Sequence, residues 1–382
     1  MSPTTSPRPS VLSRTALTVI GTSLCLLAAC SSGSTTGGST EATVTSSSAA
    51  EVVQVGGTVI STAGSSNEMN IMLPDPITAE LTALDGSGSG VEWVAVAGDG
   101  STSTEPVGLG GDGLSGLTEK MNAEQASAPG RTALAGLDAV ASPAGSPVWV
   151  FSPMLDTMGA LDFNQLAFEE SPPIAVAAVT AAGALPDLKA REVTVVVSPV
   201  AGEQKKLSEL QVGYQHAIWE GVATAAGASK VTFFDGTGTT PGTGTIPAIP
   251  VPDPNDKINS AEQGATRTCT LPSPALFVPD TPNLIDKAAT LAALGECLGT
   301  LDTTTKITVE GHTAGVAGGG DEQTATDLST QRATEVAALL RELGVPAENI
   351  ESVVGFGATK PLVEPASDPA NRAVVVTFTS AG

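Results

Sequence analysis

Four cysteines and two histidines are the side chains best suited to covalent or metal chemistry in this 382-residue sequence. Cys25 lies inside an apolar run, and Cys30 directly follows Leu27, Ala28 and Ala29. Cys269 and Cys297 remain downstream as an even pair, which in an oxidising compartment reads as a disulfide. Closing a loop of that length stabilises by roughly 3–4 kcal/mol on the chain-entropy argument. His216 and His312 stand far from both cysteines in sequence, and no zinc-type spacing occurs. No nucleophile and base bracket His312, so no catalytic residues and no enzyme are expected. The glycines of GLGGDG, residues 108–113, do not follow a strand in a dinucleotide pattern, so no cofactor is expected either.

The N-terminal residues carry export chemistry. Arg8 and Arg14 precede the apolar run TALTVIGTSLCLLAA, and no acidic residue occurs before Cys30. The run is shorter than the roughly 20 residues a membrane-crossing helix needs. Leu27, Ala28, Ala29 and Cys30 resemble the bacterial lipobox. That resemblance implies a lipoprotein signal peptide over residues 1–29 and a diacylglycerol on Cys30. The mature chain would then be lipid-anchored at the cell membrane on the wall side. The polar run SSGSTTGGST after Cys30 suits a flexible tether over residues 30–52.

Charge narrows the partners. The sequence holds 17 basic and 40 acidic residues, a formal net charge of -23, and residues 1–29 contain none of the acidic ones. Such a surface repels nucleic acid and anionic lipid heads. Long Val, Ala, Leu and Ile runs between the charges are enough to build cores, and Tyr214 is the only tyrosine.

The pattern from 53 to 235 alternates apolar strands with helical stretches. MNIMLP, VEWVAVAG, PVWVFSP, REVTVVVSP and KVTFF read as strands, and PITAELTALDG as a helix with Pro76 near its start. Residues 114–141 are helical in pattern with a break at Pro129 and Gly130. Leu207, Leu210, Tyr214, Ile218 and Val222 recur every three or four residues, a buried helical stripe ended by Gly227. Strands apolar throughout and separated by helices argue for an α/β fold with a parallel sheet covered on both faces. Residues 236–268, rich in Thr, Gly and Pro, read as a linker. From 269 to 382 a second, smaller α/β sandwich is expected, with strands at ALFV, KITVEGHT, IESVVGFG and AVVVTFT. Its helices cover NLIDKAATLAALGECLGTL and DLSTQRATEVAALLRELG, the latter turning Leu328, Val336, Leu339, Leu340 and Leu343 inward.

ITVEGHTA, LSTQRATEVAALLRELGV and GFGATKP…NRAVVV resemble the OmpA-like C-terminal domain, a bacterial peptidoglycan-binding module. The resemblance covers most of residues 269–380. It implies non-covalent capture of the wall's peptide stem, typically at diaminopimelate, with an Asp and an Arg gripping the charged ends of the ligand. On this chain the strand motif falls on Gly311, His312, Thr313 and Ala314, and the helix motif on Leu328, Ser329, Arg332 and Ala333. Asn371 and Arg372 match the pair near the last strand. The implied site is therefore Thr313, Arg332, Asn371 and Arg372. A guanidinium suits this task, since its planar fork pairs bidentately with a carboxylate. Two departures matter. Ala314 stands where the family has its ligand-gripping aspartate, and Ala325 where an asparagine is common. The intervening segment, GVAGGGDEQTATD, is about three residues longer than usual and offers Asp321, Glu322 and Asp327 as substitute acids. The alternative pairing for Arg332 is with Asp327 or Glu335 on its own helix, and His312 reads as structural.

In the middle region, GDGSTS places Asp99, Ser101 and Ser103 in a DxSxS spacing. This resembles the metal-dependent adhesion site of von Willebrand factor A domains. Asp156 and Thr157 echo it at another strand end, where open parallel sheets gather ligands. The Gly-rich surroundings argue against a working metal site, so the region is expected to be Rossmann-like or von Willebrand A-like in shape, without metal. The combined expectation is a lipoprotein tying its membrane to peptidoglycan, with an unknown protein partner on the middle region. The alternative is an envelope scaffold whose last domain no longer binds the diaminopimelate stem.

Overall fold

The computed structural model describes residues 53–252, 258–299, 305–315 and 322–380. The expected signal peptide, the Cys30 lipid site, the tether over 30–52 and Asp321 lie outside the described residues.

The first sheet grows from β1 (Gln54–Thr62), α1 (Asp75–Gly86), β2 (Ser89–Val96), β3 (Thr102–Val107), α2 (Gly113–Ala123) and α3 (Ala133–Asp138). It continues through β4 (Val148–Ser152), α4 (Phe163–Leu166), α5 (Pro172–Ala181), β5 (Glu192–Val197), α6 (Glu209–Ala225) and β6 (Lys230–Asp235). The strand order is β3-β2-β1-β4-β5-β6. Pairing is parallel except at the edge, where β3 returns antiparallel on β2. Side chains alternate across the sheet. Ile60 therefore joins Leu134, Val179 and Trp219 on one face, while the adjacent Val59 joins Ile77, Leu81 and Leu117 on the other. The expected parallel sheet covered on both faces is what forms.

Helix α6 shows how local sequence starts such an element. The Ser208 side chain accepts from the Gln211 amide, and the Gln211 side chain accepts from the Ser208 amide. Two otherwise orphaned donors are thus satisfied at the helix start. Tyr214, Ile218 and Val222 are buried as the stripe requires, whereas Leu210, near the helix start, is exposed. Gly227, at φ +91, ends the element in the left-handed region.

The second sheet comprises β7 (Asn259–Gln263), β8 (Thr266–Pro272), α7 (Ser273–Leu276), α8 (Lys287–Leu298), β9 (Lys306–His312), α9 (Glu322–Glu342), β10 (Ile350–Gly355) and β11 (Ala373–Thr379). Its order is β10-β9-β11-β8-β7, with β10 parallel to β9 and the other pairs antiparallel. Val336, Leu339 and Leu340 of α9 pack on Leu271, Val309 and Val376. Both sheets belong to one compact unit.

Three segments differ from the pattern reading. MNIMLP makes only isolated bridges, Met69 to Pro241 and Met72 to Thr237, because Asn122 takes both polar groups of the Ile71 backbone. ALFV is not a strand: Ala275 and Leu276 end α7, which has a proline in its first turn, and Phe277 makes one isolated bridge, to Leu284. Residues 236–268 hold β7 and the start of β8, and Ile249 and Val251 bury against the first sheet. Burying an aliphatic side chain is worth roughly 1.5–3 kcal/mol, enough to draw a proline-rich stretch onto the surface it could otherwise leave.

Cys269 of β8 and Cys297 of α8 are bridged, with Cα atoms 6.3 Å apart and a sequence separation of 28. The bridge ties a core helix to the middle of the sheet. Replacing both cysteines by serine is expected to lower the unfolding free energy by about 3–4 kcal/mol. Urea titration checks this, and an unaltered midpoint would show that the bridge contributes nothing.

Candidate functional site

The strand motif lies at the end of β9, where chain and helix almost touch. A Cβ at Gly311 would collide with the Ser329 carbonyl, so only glycine lets β9 pass α9 this closely. That approach places Arg332 of α9 beside the chain entering α8. Its Nε donates to the Thr281 carbonyl at 3.0 Å, and its guanidinium lies 5.1 Å from the Phe277 ring centroid. Arg332 is only 1% exposed.

The charge facing Arg332 comes from the first sheet. Its Nη1 donates to Oε1 of Glu169, a buried carboxylate just after α4. The neighbouring Glu170 receives Nη2 of Arg372 at 3.2 Å, and Nη1 of Arg372 donates to the Gln165 carbonyl at 2.9 Å. Two successive carboxylates therefore meet the two arginines that the motif singles out. Burial, followed by the positive charge of Arg372, pushes the pKa of Arg332 down to about 9, so the guanidinium remains charged at neutral pH. Burial also lowers that of Arg372, against the opposing pull of Glu170.

The turn presenting these carboxylates is unusual. Ala167 and Phe168 both have positive φ, 49 and 56, a conformation that costs a non-glycine residue about 1–2 kcal/mol. Packing holds it: the Phe168 ring lies 5.8 Å from both Phe163 and Tyr214, and Tyr214 Oη donates to the Glu170 carbonyl at 2.7 Å. Asp280, on the second sheet's side, is hydrogen-bonded to Ser171, and burial raises its pKa.

The other motif residues take different places. The Asn371 side chain accepts from the amides of Leu362 and Val363 and donates to the carbonyls of Val363, Pro365 and Ala366. Its polar groups are spent on the 362–366 loop. Thr313 is buried, its Oγ1 has no partner among the described residues, and its amide donates to the Gly357 carbonyl. Glu322 and Asp327 are exposed, Asp327 accepting from Gln323, so neither supplies the acid missing at Ala314. Nor does Arg332 pair with its own helix. His312 is buried, its Nδ1 2.8 Å from the Lys360 carbonyl and its ring stacked on Phe356, a structural setting. Sequence reading missed Glu169 and Glu170. The only local trace is FEESPP, two adjacent acids before a proline-started helix.

The DxSxS spacing has a local explanation. Asp99 Oδ1 accepts from the amide and hydroxyl of Ser101, at 2.9 and 2.6 Å, closing the hairpin between β2 and β3. At the carboxyl ends of the strands, the position where open α/β sheets gather ligands, the chain places its own cation. Arg131 Nη2 donates to Glu68 Oε1 at 2.8 Å and to Ser65 Oγ at 3.2 Å. Asp156 nearby accepts from the Ala133 and Leu134 amides at the start of α3. Among the described residues, no group of three or more His, Cys, Asp or Glu side chains is arranged to hold a metal ion. No described helix is long and apolar enough to cross a membrane.

Comparison with known proteins places the resemblance in the second sheet. Residues 276–374 match the OmpA family model. The outer-membrane lipoprotein YfiB of Pseudomonas aeruginosa is 42% identical over 79 residues, which make up 21% of this chain and 44% of that protein. The chain thus spans less than half the length of this curated relative. Among solved structures, the cell wall anchor of the T6SS from Pseudomonas aeruginosa is 20% identical, covering 33% of this chain and 89% of that one, at a TM-score of 0.28. The OmpA-like domain of FopA1 from Francisella tularensis is 24% identical over 33% of this chain and 83% of that one, at a TM-score of 0.26. The family match takes in β9, β10 and the buried Arg332 of α9 beside the strand motif: residues 276–374 are an OmpA family domain.

Proposed function

We propose that this chain is an envelope lipoprotein that binds the peptide stem of peptidoglycan without covalent chemistry, linking a membrane at Cys30 to the wall. The observation that carries the reading is Arg332 itself. Its guanidinium, at the family's arginine position, already pairs with the Glu169 carboxylate, which is the kind of group a peptide stem would offer. Arg372 supplies a second positive charge for the same ligand. Thr313, whose buried hydroxyl has no partner among the described residues, is the orienting group, and Asn371 shapes the neighbouring loop rather than touching the ligand. The Cys269–Cys297 bridge suits an oxidising compartment. The relative's name, outer-membrane lipoprotein, supports the lipid anchor. A chain fixed at both ends raises the effective concentration of each contact, so modest wall affinity suffices.

A second reading, a scaffold that does not bind the wall, is favoured by Ala314 at the family's aspartate position. Pull-down of residues 31–382 on purified diaminopimelate-containing sacculi separates the two. The wild type is expected to be retained, and Arg332→Ala to lose at least about tenfold of that retention, since one charge-assisted pair is worth about 1.5–3 kcal/mol. Equal retention of the two would remove Arg332 from the site. No retention of either the wild type or a Glu169→Gln/Glu170→Gln variant would select the scaffold.

A further inference from the structure

We infer that Glu169 and Glu170 are a built-in plug: they occupy the ligand-carboxylate positions of the OmpA family domain, so that docking against the first sheet and binding the wall exclude each other. The inference rests on the wall-binding reading and adds a switch to it.

Three observations point the same way. First, the match is residue for residue. Glu169 takes Arg332 and Glu170 takes Arg372, the two cationic groups the family motif marks for ligand. With Arg332 at 1% exposure, an external carboxylate reaches it only if Glu169 leaves. Second, the plug is an imperfect ligand. Only Nη1 of Arg332 and Oε1 of Glu169 pair, while Nη2 and Oε2 are both buried without partners among the described residues. A guanidinium can hold a carboxylate through two parallel bonds. A freely oriented ligand can therefore make the bond that Glu169 leaves unmade. Third, the turn carrying the plug is strained. Two consecutive non-glycine residues, Ala167 and Phe168, hold left-handed φ immediately before Glu169. Such conformations cluster at clamps and switch regions, where surrounding packing maintains them.

The consequence is an equilibrium between a closed form and an open one with both arginines free. A ligand that binds only the open form has its apparent affinity reduced by the fraction open. Dense wall peptide shifts the population by mass action, whereas dilute soluble fragments shift it little. The membrane-tethered chain would thus engage assembled wall in preference to shed fragments.

The test titrates residues 31–382 with a soluble diaminopimelate-containing muropeptide, comparing wild type, Glu169→Gln/Glu170→Gln, Glu169→Ala/Glu170→Ala and Arg332→Ala. The plug predicts that either double variant binds at least about tenfold more tightly than wild type, because the open fraction rises. Equal affinity of wild type and double variants, with Arg332→Ala weaker than both, would overturn the plug and leave the wall reading standing. Absence of binding by every form would overturn both. A second measurement needs no variant. Hydrogen exchange of the wild type should quicken over 165–171 when muropeptide is added, because the turn is released. Binding with unchanged or slower exchange over 165–171 would overturn the plug even if the variants failed to fold.

Discussion

Replacing Glu169 alone by alanine is expected to weaken the docking of the two sheets by about 3–5 kcal/mol, the usual cost of leaving a buried charge without its partner. Arg332 would keep the Thr281 carbonyl and the Phe277 ring, but neither neutralises it. Glu170→Ala should cost less, because Arg372 retains the Gln165 carbonyl. In the open form inferred above, water reaches the guanidinium and offsets part of that loss. Faster hydrogen exchange over 165–171 and around Thr281 is therefore expected, with little change in protection of the Val309 and Val376 core. Uniform loss of protection through the second sheet would show that Glu169 supports the fold rather than the docking.

The second large effect belongs to Arg131. Its replacement by methionine leaves Glu68 and Asp156 as buried acids with no nearby cation, and about 3–5 kcal/mol of stability should be lost above neutral pH. The pH dependence identifies the cause. Burial raises the pKa of Glu68 above the usual carboxylate range, with Arg131 pulling against it. Burial also pushes Asp156 up to about 7, opposed by the Ala133 and Leu134 amides and by Arg131. For an acid whose folded pKa is raised, the folded state binds more protons than the unfolded one between about 4 and 7. Its contribution to stability is greatest below that window and is lost as pH rises through the folded value. The Arg131→Met penalty should accordingly shrink between pH 8 and pH 5, as seen in denaturation midpoints. Replacing Glu68 by leucine in the same chain should recover part of it. A penalty equal at both pH values would mean that packing of the arginine stem, not charge, was lost.

Elements with strong periodicity were legible. The α6 stripe and the α9 inner face follow directly from spacing, and the strands from β4 to β6 follow from short runs of β-branched and aromatic residues. What escaped had physical reasons. Strands β3 and β7 are exposed edge strands, so their polar sequences carry no burial signal. The proline-rich stretch reads as a spacer by composition, yet Ile249 and Val251 give it a surface to cover. At the site, Arg332 and Arg372 were visible because a motif marks them, and Asn371 was visible for the same reason although its amide serves a loop. Glu169 and Glu170 were not visible. Their partners lie 163 and 202 residues away, and no local pattern encodes a pairing across two sheets.

What occupies the Arg332 guanidinium when the wall is present decides whether Glu169 stands in for a ligand. A crystal structure of residues 31–382 carrying Glu169→Gln/Glu170→Gln, grown with a diaminopimelate-containing muropeptide, addresses this directly. The expected result is a ligand carboxylate on Arg332, a second anionic group facing Arg372, and residues 165–171 withdrawn from both arginines. A muropeptide bound elsewhere, with the substituted side chain at position 169 still seated on Arg332, would contradict it.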